Sequence, residues 1–340
     1  MSKIYKRSLL LLQVLAILII PLVSKSQECE KMKITDFPKK DLPSDFQPEH
    51  VKQEDVKEET SSKYYYGIGV PIDYVKARRL AFIEMAILGD QDDPFKGASI
   101  LMMLYANGFG VERNLDISIR LACANVGWAN AEIEGRVQHL KEIKSGESKG
   151  VFDICDDITS GYMDGYCQSI HSELADIARK ATMDSVIRSW PKKDQLAYDR
   201  LKGFASDFFY QRTTSEVDEL GTSRAAFVLQ ESGSLEDGFT EEILDADKCN
   251  FVSYTAQDFI AADKELNSIY SKIMNDKTTK WGIETTVTKE GIRSTQRKWI
   301  LYRDAWVDFG AVRCPGVTDI SWKTLITKER VSQLQSFVEE

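Results

Sequence analysis

Two stretches of this chain are built to one plan, and that plan leaves few folds open. GIGVPIDYVKARRLAFIEMAILG begins at Gly67 and GFGVERNLDISIRLACANVGWAN begins at Gly108, an offset of 41 residues. A fixed period of this length marks stacked supersecondary units. In each copy two glycines and a valine lead to an Asp or Asn, then to apolar residues at helical spacing. These are Tyr74, Ala77, Leu80, Ala81 and Met85 or Ile87 in the first copy. In the second they are Leu115, Ser118, Leu121 and Ala122. The pairs Gly67/Gly69 and Gly108/Gly110 let the chain reverse tightly between helices and let the helices approach. A phosphate loop is a poor reading, because no strand precedes either pair and no Gly-Lys-Ser/Thr follows.

The start of the chain reads as an export signal. Leu9 to Val23 is apolar except for Gln13 and Pro21, Lys3, Lys6 and Arg7 precede it, and Ser24, Lys25 and Ser26 follow. The basic, apolar, small order is that of a signal peptide cleaved after Ser26. The apolar run is short for a bilayer span of about 20 residues. Residues 1–26 carry four basic side chains and no acidic one, so their removal takes the net charge from −9 to −13. An acidic chain repels nucleic acid and suits a basic protein partner. The expected compartment is the periplasm of a Gram-negative bacterium, with no membrane insertion once the signal is removed. Residues 27–60, charged and containing Pro38, Pro43 and Pro48, read as a tether.

An even number of cysteines in an exported chain suggests disulfides. Cys155 and Cys167 flank the turn-rich TSGYMDGY, where a bridge closes a short loop and contributes about 3 kcal/mol in the chain-entropy account. Cys249 and Cys314 flank a long helical pair and can lie side by side. Cys29 and Cys123 are left by elimination. No CxxC is present and His50, His139 and His171 are scattered, so neither a metal nor a cofactor is expected.

Beyond a linker near residues 142–150, six amphipathic segments follow. HSELADIARKATMDSVIRSW stops at Trp190-Pro191, since a residue before proline resists helix. KDQLAYDRLKGFASDFFYQR carries Leu196, Leu201, Phe204 and Phe208 on one face. GTSRAAFVLQESGSLEDGFTEEIL and AQDFIAADKELNSIYSKIMN come next. GIRSTQRKWILYRDAWVDFGAVR places Trp299, Tyr302 and Trp306 at i, i+3 and i+7, and WKTLITKERVSQLQSF closes the chain. The second and fifth segments align at an offset of 98, which suggests two related halves, 151–248 and 249–340. The fold class is all-α: an αα-hairpin repeat forming a short solenoid over 61–145, then a helical-hairpin or bundle region over 151–340.

Two family resemblances accompany this reading. Gly67, Gly69, Val70, Asp73, Lys76, Ala77, Ala86 and Gly89 resemble the Sel-one-like repeat, a tetratricopeptide relative, with a degenerate second copy that has Asp116-Ile117-Ser118 where lysine and alanine are usual. That resemblance implies stacked αα-hairpins and protein–protein contacts. ADKELNSIYSKIM followed by TQRKWILYRDAW is similar to the lysozyme inhibitor LprI family. The matching residues are Ala262, Asp263, Leu266, Asn267 and Tyr270, then Gln296, Arg297, Trp299, Tyr302, Arg303 and Asp304. Trp306 stands where that family often has a cysteine, so its disulfide pattern does not carry over.

The motif residues read as structural. Asp263, Asp304, Arg297 and Arg303 are expected to form a buried or half-buried ion-pair network between helices, with Asn267 and Gln296 as polar braces. No GxSxG, HExxH or histidine near a nucleophile motif is present, and no catalytic residue is assigned. The resemblances imply a non-enzymatic protein binder of the periplasm. One partner class is a basic lysozyme-like muramidase, which it would inhibit. The alternative is an envelope-complex subunit, with the chain as scaffold for a machine such as a type VI secretion apparatus. A cryptic peptidoglycan-acting enzyme is the third class.

Overall fold

Asp73 and Asn114, one repeat period apart, each donate a backbone hydrogen bond across a turn: Asp73 to the Tyr64 carbonyl at 3.0 Å and Asn114 to the Tyr105 carbonyl at 2.9 Å. Ile68 and Phe109, again one period apart, bond to the Lys63 and Leu104 carbonyls at 2.9 and 3.0 Å. Gly67, Gly69, Gly108 and Gly110 all have φ between 65° and 75°, the left-handed region where a side chain is strained. The two copies therefore share these turn bonds and the same glycine geometry. At Gly110 a Cβ would also lie 3.0 Å from the Tyr74 backbone.

These turns sit in a computed structural model that describes residues 36–43, 59–88, 94–124, 129–278 and 280–338. Among the described residues every regular element is a helix, with one isolated bridge between Trp281 and Thr285. The all-α class read from the sequence is the one observed. The signal segment 1–26 and Cys29, hence the Cys29–Cys123 pairing, lie outside the described residues. No helix among the described residues is long and apolar enough to cross a membrane. The chain divides into two compact units. One holds the described residues up to Ser61 with Tyr74–Ile154, and the other holds Ser62–Asp73 with Cys155–Glu340. Helix α1 (Ser61–Tyr66) begins at the boundary.

In the first unit α2 (Tyr74–Leu88), α3 (Ala98–Asn107), α4 (Leu115–Ala124) and α5 (Asn130–Ser145) each pack on the next in sequence. Helix α3 is buried from Ser99 to Ala106, so it is the core against which the others stack. Glu84 is buried on α2 and accepts from the Ser61 and Gly97 amides at 2.8 and 2.7 Å and from the Ser61 hydroxyl at 2.5 Å. It thereby ties together chain ends that have no helical partner. Burial still holds its carboxyl above the usual glutamate range. The stretch read as a tether is partly packed. Phe37 is buried edge-on to Phe82 at 4.9 Å, and Asp41 accepts from the Tyr105 hydroxyl at 3.0 Å. Isolated aromatics among prolines and charges show no periodicity, which is why the sequence does not reveal this one.

The second unit contains α6 (Gly161–Ile187), α7 (Lys192–Ser215), α8 (Arg224–Lys248), α9 (Ala256–Asn275), α10 (Lys289–Arg313) and α11 (Asp319–Gln335). Helix α6 pairs with α8, α9 pairs with α11, and the two middle helices α7 and α10 pair with each other. The α7–α10 pair is antiparallel: Thr295 bonds the Gln211 carbonyl, Lys298 meets Asp207 and Arg313 meets Asp194, so numbers rise on one helix as they fall on the other. The buried face of α7 is Asp194, Tyr198, Leu201, Ala205, Phe208 and Arg212. That corrects the expected face, since Leu196 is 55% exposed and Phe204 only half-buried. The buried stripe begins and ends on charges, each neutralised by a partner. Asp194 pairs with Arg313 at 3.3 Å, and Arg212 with Glu216 and Glu231 at 2.8 and 2.5 Å.

Cross-links complete the unit. Disulfides join Cys155 to Cys167 and Cys249 to Cys314, the second stapling the C-terminal ends of α8 and α10. Arg330 of α11 is wholly buried, holds both Glu216 oxygens at 2.5 and 2.8 Å and donates to Gln296 at 2.9 Å. Gly310 of α10 gives Trp322 its place: a Cβ there would come within 2.1 Å of the indole nitrogen. Gly310→Ala is therefore expected to destabilise the protein by about 1–3 kcal/mol, the usual range for overpacking. Gly233→Ala on α8, where a Cβ meets nothing within 4 Å, should instead stabilise by up to about 1 kcal/mol. Thermal melts of the two variants check both signs.

Candidate functional site

Helix α8 carries Leu235, Phe239, Glu242 and Ala246 at spacings of four, three and four. Three are buried and apolar, so a carboxylate occupies a core stripe. Helix α11 repeats the pattern with Trp322, Ile326, Glu329 and Gln333. The two stripes meet. The Glu242 and Glu329 carboxyls come close enough to perturb each other, and with Tyr302 of α10 they line one cleft.

Two ionised carboxylates can only accept hydrogen bonds, so such a pair needs a proton or a cation between its members. Among the described residues no ion pair reaches either one, and the Glu242 Oε2 atom is fully covered with no hydrogen-bond partner. Burial, and next the Glu329 charge, push the Glu242 carboxyl well above the usual glutamate range. Burial pushes Glu329 up as well. Tyr302, also buried, is raised by burial first and then by the two carboxyl charges. The pair therefore holds a proton to higher pH than a free glutamate.

Clefts open on either side of the pair. One of about 170 Å³ is walled by Phe251, Tyr254, Trp322 and Leu325. The other, of about 370 Å³, is walled by Phe208, Phe209, Leu235, Phe239 and Tyr302. Glu242, Asp245 and Glu329 line both, and Glu241 stands at the wider one. The result is an acidic floor between aromatic walls. No group of three or more His, Cys, Asp or Glu side chains that could hold a metal occurs among the described residues.

The motif residues divide around this site. Ala262, Leu266, Trp299 and Tyr302 are buried in the core, and Tyr270 packs against it. Gln296 braces α10 to α11 through Arg330. The expected ion network between Asp263, Arg297, Arg303 and Asp304 does not form. Arg303 pairs with its neighbour Asp304 at 2.8 Å and lies over the Trp299 ring at 5.2 Å. Arg297 is exposed, 3.9 Å from Glu290 on its own helix. Asn267 donates to Asp263 one turn back and braces nothing across helices. The reason is angular: the buried face of α10 runs through residues 292, 295, 299, 302, 306 and 309, which leaves 297, 303 and 304 on its flanks. The buried charges lie instead at Asp194, Arg212, Glu216 and Arg330. Glu242 and Glu329 escaped sequence reasoning because acidic residues abound, although an acid at a core position of a heptad stripe was the available signal.

Comparison with known families bears on this same half of the chain. Residues 247–334 match the family model described as lysozyme inhibitor LprI. The matched span holds α9, α10 and most of α11, with Tyr302 and Glu329, while Glu242 precedes it. No curated protein and no solved structure matches the chain.

The carboxyl pair gives the LprI-like region a pH signature. Unfolded, both glutamates titrate near their ordinary value; folded, they keep the proton longer. Their contribution to stability is therefore full below the unfolded pKa and is lost as pH rises through the raised folded values. Glu329→Gln keeps the shape and removes one charge. It should raise the melting temperature at about pH 8, with the gain shrinking as pH approaches about 4. A gain that is the same at both pH values would contradict the buried pair.

Proposed function

We propose that this chain is an exported, non-enzymatic protein-binding module whose LprI-like region binds a basic lysozyme-type muramidase and blocks its cleft. The observation that carries the reading is the match of residues 247–334 to the lysozyme inhibitor LprI family. The acidic floor at Glu242, Asp245 and Glu329 and the net charge of −9 suit a cationic partner. The two disulfides fit an oxidising compartment, and the basic–apolar–small leader fits export to a periplasm.

A second reading rests on the repeat: the bonds shared by the turns at 63–73 and 104–114 fit Sel-one-like αα-hairpins, which would make the chain a scaffold for an envelope complex. The two readings are compatible if the repeats place the inhibitor region near its target.

A lysozyme turbidity assay tests the first reading. Micromolar purified chain should slow lysis at low salt, and the inhibition should weaken severalfold between about 50 and 300 mM salt as the charges are screened. Unimpaired lysis at micromolar protein and low salt would contradict it. Chemical crosslinking in the envelope tests the second, which predicts recovery of one reproducible partner through residues of the repeat unit.

A further inference from the structure

Among the described residues of the second unit, three places where carboxylates meet an aromatic ring can be compared, and an arginine of the chain itself fills two of them; Arg303, between Asp304 and the Trp299 ring, fills a further such place. Arg330 grips both oxygens of Glu216 with its guanidinium 5.7 Å from the Phe208 ring centre. Arg313 contacts Asp194 and Asp247 with its guanidinium 4.6 Å from the Trp190 ring. A flat, delocalised cation satisfies both demands, because its edge donates to carboxylates while its face lies on the ring. The third place is the Glu242–Glu329 pair, with Asp245 beside it and Tyr302, Phe208, Phe209 and Phe239 around it. Among the described residues no arginine or lysine pairs with Glu242, Asp245 or Glu329. Glu242 and Glu329 are both half-buried and line an open cleft of about 370 Å³.

We infer that this cleft receives an arginine side chain of the protein partner, its guanidinium bridging Glu242 and Glu329 and its face against the aromatic wall. The inference deepens the protein-binding reading and rests on it. A metal ion is a poorer occupant, since no three-ligand group stands there. A lysine ammonium would satisfy the charge but would gain less from the flat wall, and its single nitrogen cannot span two carboxyls with paired, in-plane bonds. A net charge of −9 draws basic proteins to the surface, and the cleft supplies the specific contact once they arrive.

The full chain, its Glu242→Gln/Glu329→Gln variant and the single Asp245→Asn variant are titrated with n-butylguanidinium chloride by calorimetry, with n-butylammonium and sodium chlorides as controls. Circular dichroism first establishes that the variants fold, which amide-for-carboxyl exchange in a repulsive pair favours. The parent should bind butylguanidinium saturably, more tightly than butylammonium, and the double variant should lose at least about tenfold in affinity. No saturable binding by the parent, equal affinity in the double variant, or no preference for guanidinium overturns the inference. The same proteins in the lysozyme assay separate it from the reading beneath it. Inhibition that persists in the double variant leaves the inhibitor reading standing and removes this cleft from it. Guanidinium binding lost in the double variant, with no inhibition by the parent, keeps the cleft and removes lysozyme as its target.

Discussion

Trp306 has the Trp322 ring stacked on it at 5.4 Å and the Phe239 ring edge-on at 5.7 Å, so one side chain of α10 touches α11 and α8 together. Tyr302, one turn earlier, stacks on Phe208 of α7 at 5.2 Å. Through these two residues the aromatic stripe of α10 sets the positions of three neighbouring helices. Large rings buried in this way contribute several kcal/mol each and leave little freedom in helix register. Gly310 belongs to the same arrangement, because Trp322 can reach Trp306 only where α10 has no side chain. The Cys249–Cys314 bridge then fixes the ends of α8 and α10 beside that stack.

The candidate site follows from this packing. With α8 and α11 both seated on α10, heptad positions that would ordinarily hold leucine bring Glu242 and Glu329 face to face above Tyr302. A core that buries Arg330 and Arg212 and half-buries Arg313 shows how the fold treats charge elsewhere: each of these cations has its acid. Burying paired charges contributes little to net stability, yet breaking a pair is costly. A carboxyl pair left to share a proton is therefore a local cost carried by the rest of the unit, of the kind that accompanies binding sites.

Much of the fold was legible in the sequence. Helical period identified the six amphipathic segments of the second unit, and Trp190-Pro191 ended the first of them where the chain does turn. The glycine pairs located the two turns because a Cβ is strained at those backbone angles. The α7 face was misread at Leu196, because Asp194 and Arg212 occupy core positions and a polarity count places them outside. Phe37 was missed for the opposite reason, as apolar residues scattered through a polar stretch have no period to betray the one that is buried. The ion network was assigned to the right type of contact and the wrong residues. Arg303 and Asp304 are prominent in the motif, but partners for Arg330 and Arg313 come from Glu216 and Asp194, more than a hundred residues away in sequence. Glu242 and Glu329 could have been found only by asking which acids sit on an apolar stripe.

Carboxyl footprinting tests the central claim, that a basic protein docks on the acidic face between α8 and α11. Carbodiimide labelling of the chain alone and with saturating lysozyme, read by mass spectrometry, should show Glu241, Asp245 and Glu329 protected in the complex while Asp207 and Glu290 label as before. Protection absent from these three, or confined to acids of the repeat unit such as Asp116 and Glu112, would contradict it.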